Sequence, residues 1–144
     1  MPRSFFPAIK PIRYEGPKSK NSLAFKWYNP GEKVGGKSMR DHLRFAVAYW
    51  HTLKGTGADP FGAPTLIRPW QNSSNPVKQA EETLQAAFEF FTKLGVSYYC
   101  FHDRDIAPEG ASLTETNKTL DRIVKLAGKL QKDTGVKLLW NTSN

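Results

Sequence analysis

The stretch Val96-Ser97-Tyr98-Tyr99-Cys100-Phe101-His102-Asp103-Arg104-Asp105 decides how this chain is read. It is a short run of strand-forming residues that breaks off into a histidine and two carboxylates. Gly95 before it and Pro108-Glu109-Gly110 after it punctuate both ends. A buried strand that delivers ionisable groups at its carboxyl end is where α/β enzymes keep their chemistry. Two readings of His102 are open from the strand alone. In one it is an N-cap or loop histidine, with Asp103 and Asp105 as turn residues. In the other His102 and Asp105 are a pair, the carboxylate fixing the tautomer of the imidazole.

Helical patterns flank this strand. Asn75 and Pro76 read as an N-cap followed by a first-turn proline. Val77, Ala80, Leu84, Ala87, Phe88, Phe91 and Leu94 then recur at helical spacing until Gly95. Beyond the strand, Ser112-Leu113-Thr114-Glu115 is a capping box. It opens a helix with the stripe Leu120, Ile123, Val124, Ala127 and Leu130, closed by Gly135. Residues 136–142 read as another strand, and so do residues 44–50, where Ala46 and Ala48 alternate with Phe45, Val47 and Tyr49. Residues 51–75, rich in Gly and Pro and carrying Phe61 and Trp70, form a loop long enough to imply function or an interface.

Strand, loop, helix, strand, helix, strand is the order of an α/β fold with parallel strands and crossover connections. No Gly-rich dinucleotide turn follows any strand. Three strands alone leave edges exposed and one sheet face half covered, so the chain is expected to be part of a larger fold. Residues 1–37, without a sustained period, read as an irregular N-terminal extension, and residues 38–144 as the first part of the sheet domain.

With 144 residues and 39% apolar content the chain has enough material for a core. A net charge of +8 raises nucleic acid as a partner, but Lys and Arg are scattered and no zinc-finger or RNA-binding signature occurs. A solvated basic surface and no nucleic-acid partner are expected. No apolar run approaches the roughly 20 residues of a membrane span, and the helical stretches mix acids with bases, so no membrane is expected either. The single Cys100 and the absence of a long apolar leader run predict a reducing, cytoplasmic setting.

At residues 45–52, Asp59-Pro60-Phe61-Gly62, residues 98–105 and residues 138–142 the chain resembles xylose isomerase, in its longer class with an N-terminal extension. Cys100-Phe101-His102-Asp103-Arg104-Asp105 and Tyr49-Trp50-His51-Thr52 are the most specific carriers of the likeness. It covers essentially the whole chain, in order. The resemblance implies the N-terminal part of a (β/α)8 TIM barrel, about three strands and incomplete, and a homotetramer for the full-length enzyme. It implies isomerisation of D-xylose to D-xylulose, with D-glucose and D-fructose as side substrates. Ring opening comes first, then a hydride shift assisted by two divalent cations, Mg²⁺, Mn²⁺ or Co²⁺. The family's metal ligands lie downstream of the matched strand, so no metal ligand is assigned here. Without that Lewis acid, and without the remainder of the barrel, this chain alone is expected to be inactive.

By the same match His102 and Asp105 are the catalytic candidates. His102 would assist ring opening and Asp105 would hold it through its other ring nitrogen. Trp50 and Trp140 would be walls that shield the hydride shift from water, Thr142 would stand near sugar hydroxyls, and Phe61 would reach a neighbouring subunit's site. Apart from the resemblance, Trp50 and Trp140 read as core residues and Thr142 as a helix cap. Strand alternation groups His102 with Cys100 and Tyr98, and Trp140 with Leu138 and Thr142, so each strand can aim its candidate at the carboxyl rim. Two other functions compete: a related metal-dependent sugar epimerase, and a non-catalytic binding or assembly module built on the half-barrel.

Overall fold

The computed structural model describes residues 3–143. A two-residue ribbon, β1 (Lys33–Val34) and β2 (Lys37–Ser38), leads into a single helical turn, α1 (Met39–His42), capped by the Ser38 side chain. The main sheet has three parallel strands in sequence order: β3 (Ala46–Ala48), β4 (Tyr98–His102) and β5 (Lys137–Thr142). Helix α2 (Pro76–Leu94) lies between β3 and β4, and the short α3 (Asp103–Ile106) and long α4 (Leu113–Thr134) lie between β4 and β5. This is a mixed α/β arrangement compatible with part of a barrel.

The helix ends follow the local chemistry. The Asn75 side chain accepts from the Lys78 amide at 3.0 Å, and Pro76 takes the first turn, where a missing N–H costs nothing. Gly95 and Gly135 close α2 and α4 at φ of 78° and 76°, in the left-handed region that favours glycine. Ser112 caps α4 through the Glu115 amide at 3.2 Å. The reciprocal Glu115 contact goes one residue earlier than the capping-box pattern predicts, to the Ala111 amide.

Both helices cover the same face of the sheet. Val47, Tyr49, Tyr99 and Phe101 pack there against Leu84, Ala87, Phe88 and Phe91 of α2, with Ile123 and Ala127 of α4 and Val136 closing the cluster. Tyr99 sits at its centre, stacked on Phe91 and edge-on to Phe88, both with ring centroids at 5.3 Å. Each such side chain contributes about 1.5–3 kcal/mol by leaving water. Across the helix pair, Arg122 grips Glu81 through two hydrogen bonds of 2.7 and 3.2 Å.

The structure departs from the sequence reading in three further places. The strand expected over residues 44–50 is limited to Ala46–Ala48, because Tyr49 already has helical backbone angles and Trp50–Lys54 forms a π-helical turn. Phe45 is therefore half exposed rather than buried. Val124, placed in the apolar stripe of α4, faces solvent; only Ile123 and Ala127 of that helix are fully buried.

The third departure is a bulge in β5. Tyr99 pairs with Leu138 but Cys100 pairs with Trp140, which makes Leu139 the extra residue. A strict alternation would put Leu138 and Trp140 on one face. The bulge sends Leu138 to the helix side with Tyr99, and leaves Trp140 and Thr142 in register with Cys100 and His102.

The amino-terminal segment is strapped to α2. The Glu89 carboxylate accepts from the Ser4 hydroxyl and the Phe5 amide at 2.6 and 2.7 Å, and pairs with Lys93 at 2.9 Å. The Ile12 amide donates to the Lys93 carbonyl at 2.7 Å. Partial burial works against the Glu89 charge, but the Ser4, Phe5 and Lys93 donors outweigh it and bring the carboxyl down to about 2.

Candidate active site

The carboxyl ends of β3, β4 and β5 carry Trp50, His102 and Trp140, and the fold brings the three rings together. Trp50 and His102 lie 4.4 Å apart between ring centroids, Trp50 and Trp140 5.7 Å, and His102 and Trp140 6.2 Å in an edge-on arrangement. They share the sheet face opposite α2 and α4. Trp140 keeps 41% of its surface exposed. Trp50 and His102 are partly buried beside it.

Each ring arrives by a different local device. His102 ends β4 with extended angles and serves as the N-cap of α3. Trp140 is turned to this face by the Leu139 bulge. Trp50 begins the π-helical turn after β3, a rare element that recurs at functional sites.

Both readings of His102 prove compatible. It is an N-cap residue, and it is paired with Asp105. Asp105 Oδ2 accepts from the His102 backbone amide and from its ring Nδ1, each at 2.9 Å. An ionised carboxylate can only accept, so Nδ1 carries a proton and Nε2 is the ring atom left for other chemistry. Nε2 has no partner among the described residues. The pair is mostly buried, with 28% of the His102 and 15% of the Asp105 side chain exposed.

Thr142 lies beside His102 in the sheet register and is exposed. Phe61 does not join the cluster. It stands on the Asp59–Gly62 turn with 97% of its surface in solvent. Behind the site, Tyr49 is fully buried and its hydroxyl has no hydrogen-bond partner among the described residues. Burial pushes the Tyr49 phenol far above its ordinary value, with Tyr99 and Asp105 adding to the effect. Burial also pushes up the Cys100 thiol on the site face of β4. Among the described residues no three His, Cys, Asp or Glu side chains come together as a metal would require.

Sequence reasoning missed the π-helical turn and its supports. The Leu53 carbonyl accepts from the Trp70 indole N–H at 3.1 Å and from Gln71 Nε2 at 3.4 Å. Leu53 and Trp70 were visible only as apolar residues inside a long loop, and no periodicity of 2 or 3.6 marks a turn of this kind.

Comparison with known proteins gives the site its context. No protein-family model matches the chain. It is 56% identical over 139 residues to the xylose isomerase of Rhodopirellula baltica, a match covering 96% of this chain and 32% of that one. To the xylose isomerase of Geobacillus kaustophilus it is 57% identical over 141 residues, covering 98% and 32%. The xylose isomerase of Arabidopsis thaliana is 55% identical over 139 residues, covering 96% and 29%. The chain belongs to the xylose isomerase family. It spans about a third of the length of the curated relatives it matches, and corresponds to their amino-terminal portion. No helix among the described residues is long and apolar enough to cross a membrane.

Proposed function

We propose that this chain forms the first three strands of a xylose isomerase (β/α)8 barrel, residues 1–37 being its extension and residues 38–144 its barrel part. The open face of the sheet then becomes barrel interior, and its carboxyl rim the sugar site. The observation that carries this reading is the convergence of Trp50, His102 and Trp140 at the carboxyl ends of three parallel strands.

In this reading the chain supplies ring opening and shielding in the conversion of D-xylose to D-xylulose. Asp105 holds Nδ1–H of His102, so Nε2 meets O1 or the ring oxygen of the cyclic sugar. There Nε2 takes the O1 proton and passes it to O5 as the C1–O5 bond breaks and the C1 carbonyl forms. Trp50 and Trp140 line the apolar wall against which the open chain lies, excluding water. Thr142, at the same rim, offers a hydroxyl to the sugar. The exposed Phe61 is available to a neighbouring subunit of a homotetramer. The two divalent cations of the family supply Lewis-acid chemistry for the hydride shift. The described residues offer no donor set for them, so the steps assigned to this chain are those that do not run through metal. The remainder of the barrel must come from elsewhere in a longer polypeptide or from a second chain, in a cytoplasmic setting.

The test is xylulose formation by the complete isomerase polypeptide, as wild type and as His102→Gln, from cyclic and from freshly opened substrate. The variant is expected to slow turnover of cyclic sugar by about 10²–10⁴-fold, the usual range for a lost general acid–base group. Equal rates from cyclic sugar would remove His102 from ring opening. Steep loss of nucleic-acid binding with salt, in a chain inactive within any barrel, would favour a binding module instead.

A further inference from the structure

The reading of Trp50 and His102 as the sugar-facing pair rests on a turn that cannot hold itself. The π-helical turn Trp50–Lys54 is a rare geometry, and no side chain caps its start. A slip to ordinary helical spacing would re-aim its first residue, Trp50. What braces it is a second segment, the 3-10 turn Pro69–Gln71 with the preceding Arg68. The Trp70 indole N–H donates to the Leu53 carbonyl at 3.1 Å, Gln71 adds a longer bond to the same oxygen, and Arg68 Nε donates to the Gly55 carbonyl at 3.3 Å.

The brace is anchored from outside. Trp70 is only 3% exposed, with Phe5 and Phe6 against its ring at 6.0 and 5.6 Å and the Arg68 guanidinium over it at 5.6 Å. The turn is also tightly closed on the other side. A Cβ on Gly55 would stand 2.6 Å from the His51 carbonyl oxygen, so a side chain has no room where the chain leaves the turn. Among the described residues Trp70 makes no ring contact or hydrogen bond with His102 or Trp50; its bond is to the Leu53 carbonyl of the turn.

We infer that Trp70 is a positioning residue, whose indole N–H fixes the π-helical turn and thereby holds the Trp50 ring against the His102 imidazole. The amino-terminal strap, through Phe5 and Phe6, is part of the same device. In Trp70→Phe the donor is lost together with part of the indole's volume, and Arg68→Ala, which removes a donor to the same turn and leaves the indole in place, separates the brace from simple core filling.

The experiment uses the whole chain with isotopically labelled histidine and reads the His102 ring resonance, which the Trp50 ring current displaces at 4.4 Å centroid distance. Trp50→Ala sets the position without the Trp50 ring, the Trp140 ring at 6.2 Å being common to all the variants. In Trp70→Phe, with a cooperative unfolding transition retained, the His102 resonance is expected to move toward that position. A folded Trp70→Phe whose His102 resonance equals the wild type overturns the inference. If Trp70→Phe does not fold, Arg68→Ala, at a partly exposed side chain, decides in the same way: a reduced displacement supports the brace and an unchanged one overturns it. The outcome is independent of the sugar reading. Normal ring opening by His102→Gln in the complete enzyme would remove the proposed function and leave the spectroscopic result standing.

Discussion

The two faces of the sheet are built by opposite rules. Toward the helices, Tyr99 and Tyr49 have no exposed surface, Val47 and Phe101 have little, and every large side chain finds an aromatic or aliphatic neighbour. Toward the open face stand Cys100, His102, Trp140 and Thr142, with a hydrogen-bonded carboxylate and the Trp140 ring partly in solvent. The first face stabilises the chain and the second equips it. Alternation along a strand lets one backbone serve both purposes, since neighbouring residues point to opposite sides.

The contrast can be broken most forcefully from the covered side. Phe91→Ala removes the ring stacked on Tyr99 and should cost about 3–5 kcal/mol, read as a fall in the denaturant midpoint. Trp140→Ala, on the open face, should cost far less; equal losses would mean that the two faces are not energetically distinct. Next in size is the chemistry of the open face. Asp105→Asn replaces a carboxylate that can only accept by an amide that can also donate to Nδ1, so the His102 tautomer is no longer fixed. Under the proposed function this should slow ring opening in the complete enzyme by about 10²-fold while leaving the unfolding midpoint nearly unchanged. A variant that loses stability but keeps its ring-opening rate would recast Asp105 as a helix-capping residue alone.

A third prediction sharpens the comparison through pH. The Glu89 carboxyl is lowered from 4.5 to about 2 in the folded chain by Ser4, Phe5 and Lys93. Its contribution is therefore fully present above 4.5 and is lost as pH falls from there toward about 2. Comparing wild type with Glu89→Gln should show a stability gap of roughly 2 kcal/mol at neutral pH, closing on acidification. A gap independent of pH would sink the charged-strap account. The smallest effect is expected at Val124→Ser, where the side chain already faces water: a change within about 0.5 kcal/mol. A loss of several kcal/mol would show that this flank of α4 is covered after all.

The regular elements were legible because their signals are local. Asn75-Pro76 and Gly95 bracket α2, and Ser112 and Gly135 bracket α4, each through backbone groups within a few residues. The His102–Asp105 pair was legible for the same reason: a three-residue separation at a strand-to-helix junction lets one carboxylate reach both the amide and the ring. The sequence also carried the candidates Trp50, Trp140, Thr142 and Phe61, through their motifs. Apolar spacing in α4 was less informative. A stripe wide enough to include Val124 is wider than the face that Tyr99 and α2 can cover.

What only the tertiary structure decided is how those candidates meet. The Leu139 bulge exists because β5 pairs with β4 in a shifted register, and a register is a property of two strands. Trp50 lies on His102 because its turn is closed by donors from Arg68, Trp70 and Gln71, residues distant along the chain. Phe61 stays apart because, among the described residues, its turn is bonded within itself, through Asp59 and Gly62. Local hydrogen bonds and helical periods are written in neighbouring residues, so the sequence determines them. The aim of a side chain set by long-range pairing appears only when the chain has folded back on itself.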